Sequence, residues 1–128
     1  MIEKLTALWK RCETKELAKI FEAYMKNIGV KKYSEKNSDA INTYLADGKS
    51  TGWNRVSCYY KKDNANYGEE DLAITLRKRS GDYLIIERKL ERAFEVDYSG
   101  IRHYDEKLLN EIISDHKPLF DELIKIGA

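Results

Sequence analysis

The sequence has little that would staple or anchor it. Of its 128 residues only two are cysteine, Cys12 and Cys58, and one is proline, Pro118. Two isolated cysteines with no CxxC pair exclude a disulfide framework, and neither His103 nor His116 has a partner at ligand spacing for zinc. Charge of one sign is lacking too: 23 Lys and Arg face 22 Asp and Glu, a net of +1. That balance excludes a strong whole-molecule pull on nucleic acid or anionic lipid and leaves only local patches. There is no run of about 18 apolar residues and no basic segment leading into an apolar one, so nothing marks export or insertion. The expected setting is the reducing cytoplasm, with both thiols reduced. Nor is there a GxSxG elbow, a Gly-rich phosphate loop, a dinucleotide fingerprint or an HExxH pair, which removes the usual support for hydrolase, NTPase, dehydrogenase and metalloprotease readings. The length suits one domain over 1–128, large enough for a core of its own.

What is present is periodicity. Leu5, Leu8, Trp9 and Cys12 recur at three-to-four spacing. After a five-residue step Leu17, Ile20, Phe21, Tyr24, Met25 and Ile28 continue the stripe up to Gly29. The spacing predicts one bent helix or two, with Thr14 as N-cap of the second part. A shorter helix is expected to start at Asn37 or Ser38, present Ile41, Tyr44 and Leu45 on one side, and end at Gly48. From Thr51 the period becomes two, and β-branched and aromatic residues are enriched. Strands are expected over 53–62, 71–78 and 83–90, the last two joined by a tight turn at 80–82 into an antiparallel hairpin. Residues 93–98 form a fourth strand or prolong the third. The helical period returns after Gly100 in Leu108, Leu109, Ile112 and Ile113, then Leu119, Phe120, Leu123 and Ile124. Pro118 divides this stretch into two helices, because proline lacks an N–H and is tolerated only in a first turn. His116, just before it, reads as a partner for a helix C-terminal dipole.

This order implies an α+β fold: N-terminal helices, an antiparallel meander of three to four strands, and a C-terminal helix pair, with the sheet covered on one face. Alternation sends Val56, Cys58, Tyr60, Leu72, Ile74, Leu76, Leu84 and Ile86 to the core. The other face then carries Arg55, Ser57 and Tyr59, followed by Asp71, Ala73, Thr75, Arg77, Tyr83, Ile85, Glu87 and Lys89. Charge, aromatic rings and aliphatic groups are mixed there, which makes it the informative face.

Two carboxylates on adjacent strands can hold Mg²⁺, and a lysine two positions on can position the attacking water. The segments Glu70-Asp71-Leu72-Ala73-Ile74 and Tyr83-Leu84-Ile85-Ile86-Glu87-Arg88-Lys89 carry such a set across one hairpin. This pattern resembles the active-site motif of the PD-(D/E)xK nucleases. The resemblance implies a Mg²⁺-dependent nuclease in which Asp71 and Glu87 are metal ligands, Lys89 is the positioning base, and Glu13 or Glu16 is the acid donated by a helix. The same residues also read as cross-strand ion partners on a solvated face, with no cofactor.

Two further features compete for that face. Trp53-Asn54-Arg55, Tyr59-Tyr60-Lys61-Lys62 and Arg77-Lys78-Arg79 interleave aromatic rings with cations, as a single-stranded nucleic-acid surface does; Lys61 and Lys62 serve equally as guards of an edge strand, with the Trp53 segment at the rim of the sheet. Nine tyrosines in 128 residues supply the broad amphipathic area that protein interfaces favour. The leading expectation is therefore a small non-catalytic binding module that docks another macromolecule, a protein first and nucleic acid second, through Trp53, Arg55, Tyr59, Arg77, Tyr83, Glu87 and Lys89. Size and the lack of a catalytic set are those of an immunity, inhibitor or anti-defence protein of a bacterium or phage. No membrane contact is expected, and oligomers would form through a sheet edge. The reading requires the Tyr83 row to lie outside any helix.

Overall fold

The computed structural model describes residues 1–29, 40–48, 53–61, 68–78 and 81–127. Two helices, α1 (Ile2–Arg11) and α2 (Thr14–Asn27), lead into six strands, β1 (Ala40–Gly48), β2 (Trp53–Lys61), β3 (Leu72–Lys78), β4 (Tyr83–Arg88), β5 (Glu91–Asp97) and β6 (Gly100–Tyr104). Two more helices, α3 (Glu106–Asp115) and α4 (Lys117–Gly127), close the chain. The strands form one antiparallel meander in the order β1-β2-β3-β4-β5-β6. This is the expected α+β architecture, with six strands in place of three or four.

The stripe of the first third breaks at Cys12-Glu13 into two helices, and Glu13 rather than Thr14 occupies the N-cap; Thr14 is the first helical residue and is buried. Lys78 closes α1 from outside, its ammonium donating to the carbonyls of Trp9 and Lys10, a cation at the negative end of a helix. At the other end of the chain Asp105 caps α3, its Oδ1 accepting from the Leu108 N–H at 3.0 Å. Pro118 stands in the first turn of α4, as expected. The last turn of α4 meets α1 through Gly127, where a Cβ would come within 3.0 Å of the Ala7 side chain and the α1 backbone. Only glycine lets the two helices approach so closely.

The expected helix ending at Gly48 is strand β1. Ile41 and Leu45, four residues apart, fall on one side of a helix and of a strand alike, and β1 pairs with β2 from Ala40↔Lys61 to Gly48↔Trp53. The pairing moves β2 off the rim. The edges of the sheet are β1 and β6, so Lys61 does not guard an edge, and the Trp53 segment lies one strand in; Lys62 is outside the described residues.

One core cluster joins the helices to one face of the sheet. Leu5, Leu8, Leu17, Phe21 and Met25 from the N-terminal pair and Leu109, Ile112, Leu119, Phe120 and Leu123 from the C-terminal pair bury against Val56, Cys58, Leu72, Ile74, Leu76, Leu84, Ile86, Phe94 and Val96. Every strand residue in that set that alternation assigned to the interior is buried.

Strands β4 and β5 are separate, joined by a two-residue turn at Lys89 (φ 50°) and Leu90 (φ 63°). Both central residues of such a turn need the left-handed region, which Asn and Gly adopt cheaply and a Leu does not. The Leu90 side chain is 68% exposed and offsets little of that strain. Replacing Lys89-Leu90 by Asn-Gly is therefore expected to stabilise the protein by about 1–2 kcal/mol, a rise of roughly 3–8 °C in Tm for a chain of this size. Differential scanning calorimetry checks it, and an unchanged or lower Tm counts against the strain.

Candidate functional site

Strand pairing sets three rows across the face away from the helices. The first runs Arg55, Arg77, Tyr83, Asp97; the second Ser57, Thr75, Ile85, Glu95; the third Tyr59, Ala73, Glu87, Arg92, the last pair shifted by a bulge at Ile86/Glu87. Tyr59, Tyr83 and Ile85 are half-buried, while Ser57 and Ala73 at the centre are small and nearly covered by their neighbours. The helices pack on the opposite face, α2 over β1 to β3 and α3 over β5. The Tyr83 row thus faces outward, as the binding reading requires.

Charge on this face is divided. Arg55, Lys61 and Arg77 lie on β2 and β3, whereas Glu87, Glu95 and Asp97 lie on β4 and β5. Arg92 joins the acidic half, its guanidinium 2.7 Å from Glu95 and 3.7 Å from Glu87, and Arg102 sits 3.8 Å from Asp97 at the margin. Half-exposed pairs of this kind contribute only a few tenths of a kcal/mol each, so they organise the surface more than they stabilise it. Trp53 enters β2 opposite Gly48, and its side chain lies outside what the structure describes. Lys78 is turned to α1, and Arg79 and Lys62 are outside the described residues, which leaves the aromatic and basic interleaving reduced to Arg55, Tyr59, Lys61 and Arg77.

The nuclease set is not brought together. Asp71 precedes β3, where alternation no longer governs it, and its carboxylate turns to the helices. Glu87 stands on the outer face, opposite Ala73 and near Arg92. Lys89 is exposed in the left-handed turn. Glu13 is the N-cap of α2 and Glu16 lies in its first turn, and Glu16 is two turns, about 12 Å along the axis, from the part of α2 that approaches Asp71. Among the described residues no three His, Cys, Asp or Glu side chains gather as metal ligands. The expectation of an Asp71/Glu87 metal pair with Lys89 beside it is corrected accordingly.

Asp71 instead anchors a buried polar relay. His116, at the joint of α3 and α4, is 3% exposed. Its Nε2 lies 2.8 Å from Asp71 Oδ2 and its Nδ1 3.0 Å from the Tyr24 hydroxyl. A carboxylate only accepts, so Nε2–H donates to Asp71 and Nδ1 accepts from Tyr24 O–H; one neutral tautomer satisfies both. Rings of Tyr24 and Tyr60 stand edge-on to the imidazole at 6.0 and 5.6 Å. Arg88 extends the chain, with Nε donating to the Asp71 carbonyl at 2.9 Å and Nη2 to Asp115 at 2.9 Å. Burial holds the His116 pKa below the usual histidine value, against the opposing pull of Asp71. Burial and the Asp71 charge push the Tyr24 hydroxyl up, so the relay does not activate it as a nucleophile. The arrangement ties α2, β3, β4 and the α3–α4 joint together. It replaces the dipole role expected of His116, because a neutral, enclosed ring carries no charge to set against a helix end.

The sequence gives faint notice of this relay. His116 sits between two helical stripes at the break made by Pro118, where a polar side chain must turn inward or be left in the joint. Its partners are 45 and 92 positions away. Comparison of the chain with family models, curated proteins and solved structures gives no match.

Proposed function

We propose that the chain is a non-catalytic binding module whose outer sheet face docks another protein chain and acts by occlusion, in the manner of an immunity or inhibitor protein. The observation that carries this reading is the half-buried group of Tyr59, Tyr83 and Ile85 on the sheet face opposite the helices. Tyrosine brings large contact area with few rotatable bonds, and the small Ser57, Ala73 and Thr75 between the rings leave a flat floor for a partner's side chains. The flanking Arg and Glu residues set register and speed encounter. The cytoplasm is the proposed setting, since two buried free thiols need no oxidising compartment. Asp71 and His116 serve the fold in this reading, not a reaction.

A photo-crosslinking residue placed at Ile85 is expected to capture a protein chain in the producing cell, while one at the exposed Glu111 of α3 captures none. Changing Tyr59 and Tyr83 to Ala together is expected to weaken capture at Ile85 at least a hundredfold in apparent affinity, by about 1.5–2 kcal/mol per ring. The circular dichroism spectrum should be unchanged, because neither ring belongs to the core cluster. Absence of any protein product at Ile85, or undiminished capture by the double variant, overturns the reading.

A further inference from the structure

We infer that the tip of the β4–β5 hairpin docks into the groove between α2 and α4 of a second copy of the chain, each copy giving its tip and receiving the other's about a two-fold axis. This contact is separate from the outer sheet face. Its knob is Leu90, which stands in the left-handed region at φ 63° beside Lys89 at φ 50°, with its side chain 68% exposed. The surroundings hold that conformation in place. The Lys89 N–H donates to the Glu70 carbonyl at 2.8 Å, and Arg88 is pinned by the Asp71 carbonyl and the Asp115 carboxylate. Leu90 lies so close over Gly68 that a Cβ there would come within 3.1 Å of its Cδ1. Strain that a fold over-determines around an exposed aliphatic side chain points to a working surface, and a tip already rigid loses little freedom on docking. Lys89 is exposed beside it, with no partner for its ammonium among the described residues.

The groove lies at the same end of the molecule. Arg88, at the foot of the tip, bonds Asp71; Asp71 bonds His116; His116 bonds the hydroxyl of Tyr24, and Tyr24 lines the groove. The groove encloses about 370 Å³, the size of a small ligand pocket, between Ile20 and Ala23 of α2 and Pro118 and Leu119 of α4. Glu122 adds a carboxylate to this lining, held only by the exposed Lys125 at 2.8 Å. An aliphatic side chain with a cation next to it therefore meets an apolar cleft with an anion next to it: Leu90 enters the cleft and Lys89 reaches the partner subunit's Glu122. Because tip and groove neighbour each other at one end, a two-fold axis there completes both exchanges at once, and assembly stops at two copies. Two small contacts of this kind place the dimer among weak interfaces.

Sedimentation of the full chain from about 1 to 200 μM tests it, with a monomer–dimer equilibrium of Kd about 10–100 μM as the expected result. The variant with Lys89→Asn and Leu90→Gly, expected above to be the more stable protein, is expected to be monomeric throughout, so that the loss is not one of folding. Ala23→Trp fills the groove from an exposed position and is expected to be monomeric as well. Lys89→Glu and Glu122→Lys should each weaken the dimer about tenfold or more, and the double variant carrying both should return to within about threefold of wild type, since the pair is restored with its signs exchanged. Tyr83→Ala, at the far end of β4, should dimerise as wild type does, which keeps this contact distinct from the outer-face reading. A wild type that stays monomeric to 200 μM overturns the inference, as does a dimer that the Lys89→Asn, Leu90→Gly variant retains, a double charge variant that fails to recover, or a dimer lost with Tyr83→Ala.

Discussion

Changing Asp71 to Ala is expected to destabilise the protein by about 2–4 kcal/mol, a fall of roughly 10 °C in Tm, although the side chain belongs to no hydrophobic cluster. The carboxylate is the acceptor for the enclosed His116 N–H at 2.8 Å and lies 3.5 Å from Arg88 Nε. Its removal leaves a buried donor unmet and a guanidinium, 14% exposed, with part of its charge unbalanced. Asp71→Asn keeps an acceptor oxygen and should recover about half of the loss. Asp121→Ala, which breaks the exposed pair with Lys117 at 2.8 Å, should cost less than about 0.5 kcal/mol. Urea melts of the three variants measure this, and an Asp71→Ala protein within 0.5 kcal/mol of wild type would falsify the account.

The same melts carry a pH signature. A histidine whose folded-state pKa is depressed binds its proton more readily once unfolded, so stability is full above about pH 6.5 and declines as acid titrates the unfolded chain. The decline stops once the folded pKa is passed. Around the imidazole, Asp71 just before β3 and Asp115 from α3 pull its pKa up, and Arg88 from β4 opposes them along with burial. Tyr24 from α2 contributes a hydrogen bond to the neutral ring. Without Asp71 the folded pKa drops further, and the acid loss continues to lower pH than in the wild type.

Much of the fold was legible because periodicity is a local signal. Strands β2 to β4, both helix pairs and the inward set from Val56 to Ile86 follow from alternation and three-to-four spacing, since each residue's face is fixed by its immediate neighbours. Failure came where one local pattern served two periods or where a turn broke alternation. Ile41 and Leu45 share a side in a helix and in a strand alike, and pairing to β2 over nine residues decided between them. Strand β6 is five exposed residues that begin at Gly100 (φ 107°) and pair across a bulge at Glu95/Val96, so no stripe announces it. Asp71 shows the same limit at a single residue. One position before the strand it escapes the alternation that would have placed it beside Glu87, and a partner 45 residues on claims it. The outer face, a product of register, was readable; the relay, a product of tertiary contact, was not.

Both thiols are expected to be about a thousandfold or more slower toward Ellman's reagent at pH 8 in the native protein than in guanidinium chloride. Cys12 follows α1 and Cys58 lies in the middle of β2; both are fully buried and unpaired. Burial, aided by the Glu16 carboxylate, pushes the Cys12 thiol from about 9 up to about 12, and burial pushes Cys58 upward as well. The thiolate is the nucleophile, so at pH 8 its fraction falls from about one in ten to about one in ten thousand, before any steric exclusion is counted. Labelling must then pass through opening of the core, and because both sulfurs belong to one cluster their rates should coincide. The same shift gives stability an alkaline limit. An acid with a raised folded pKa loses its proton first in the unfolded chain, so stability is flat up to about pH 9 and falls beyond it as the unfolded thiols ionise. Serine at either position keeps the size but abolishes that alkaline decline for its site, which separates thiol ionisation from lysine and tyrosine titration. A native thiol reacting within tenfold of its unfolded rate would show that the seal between α1, α2 and β2 is open.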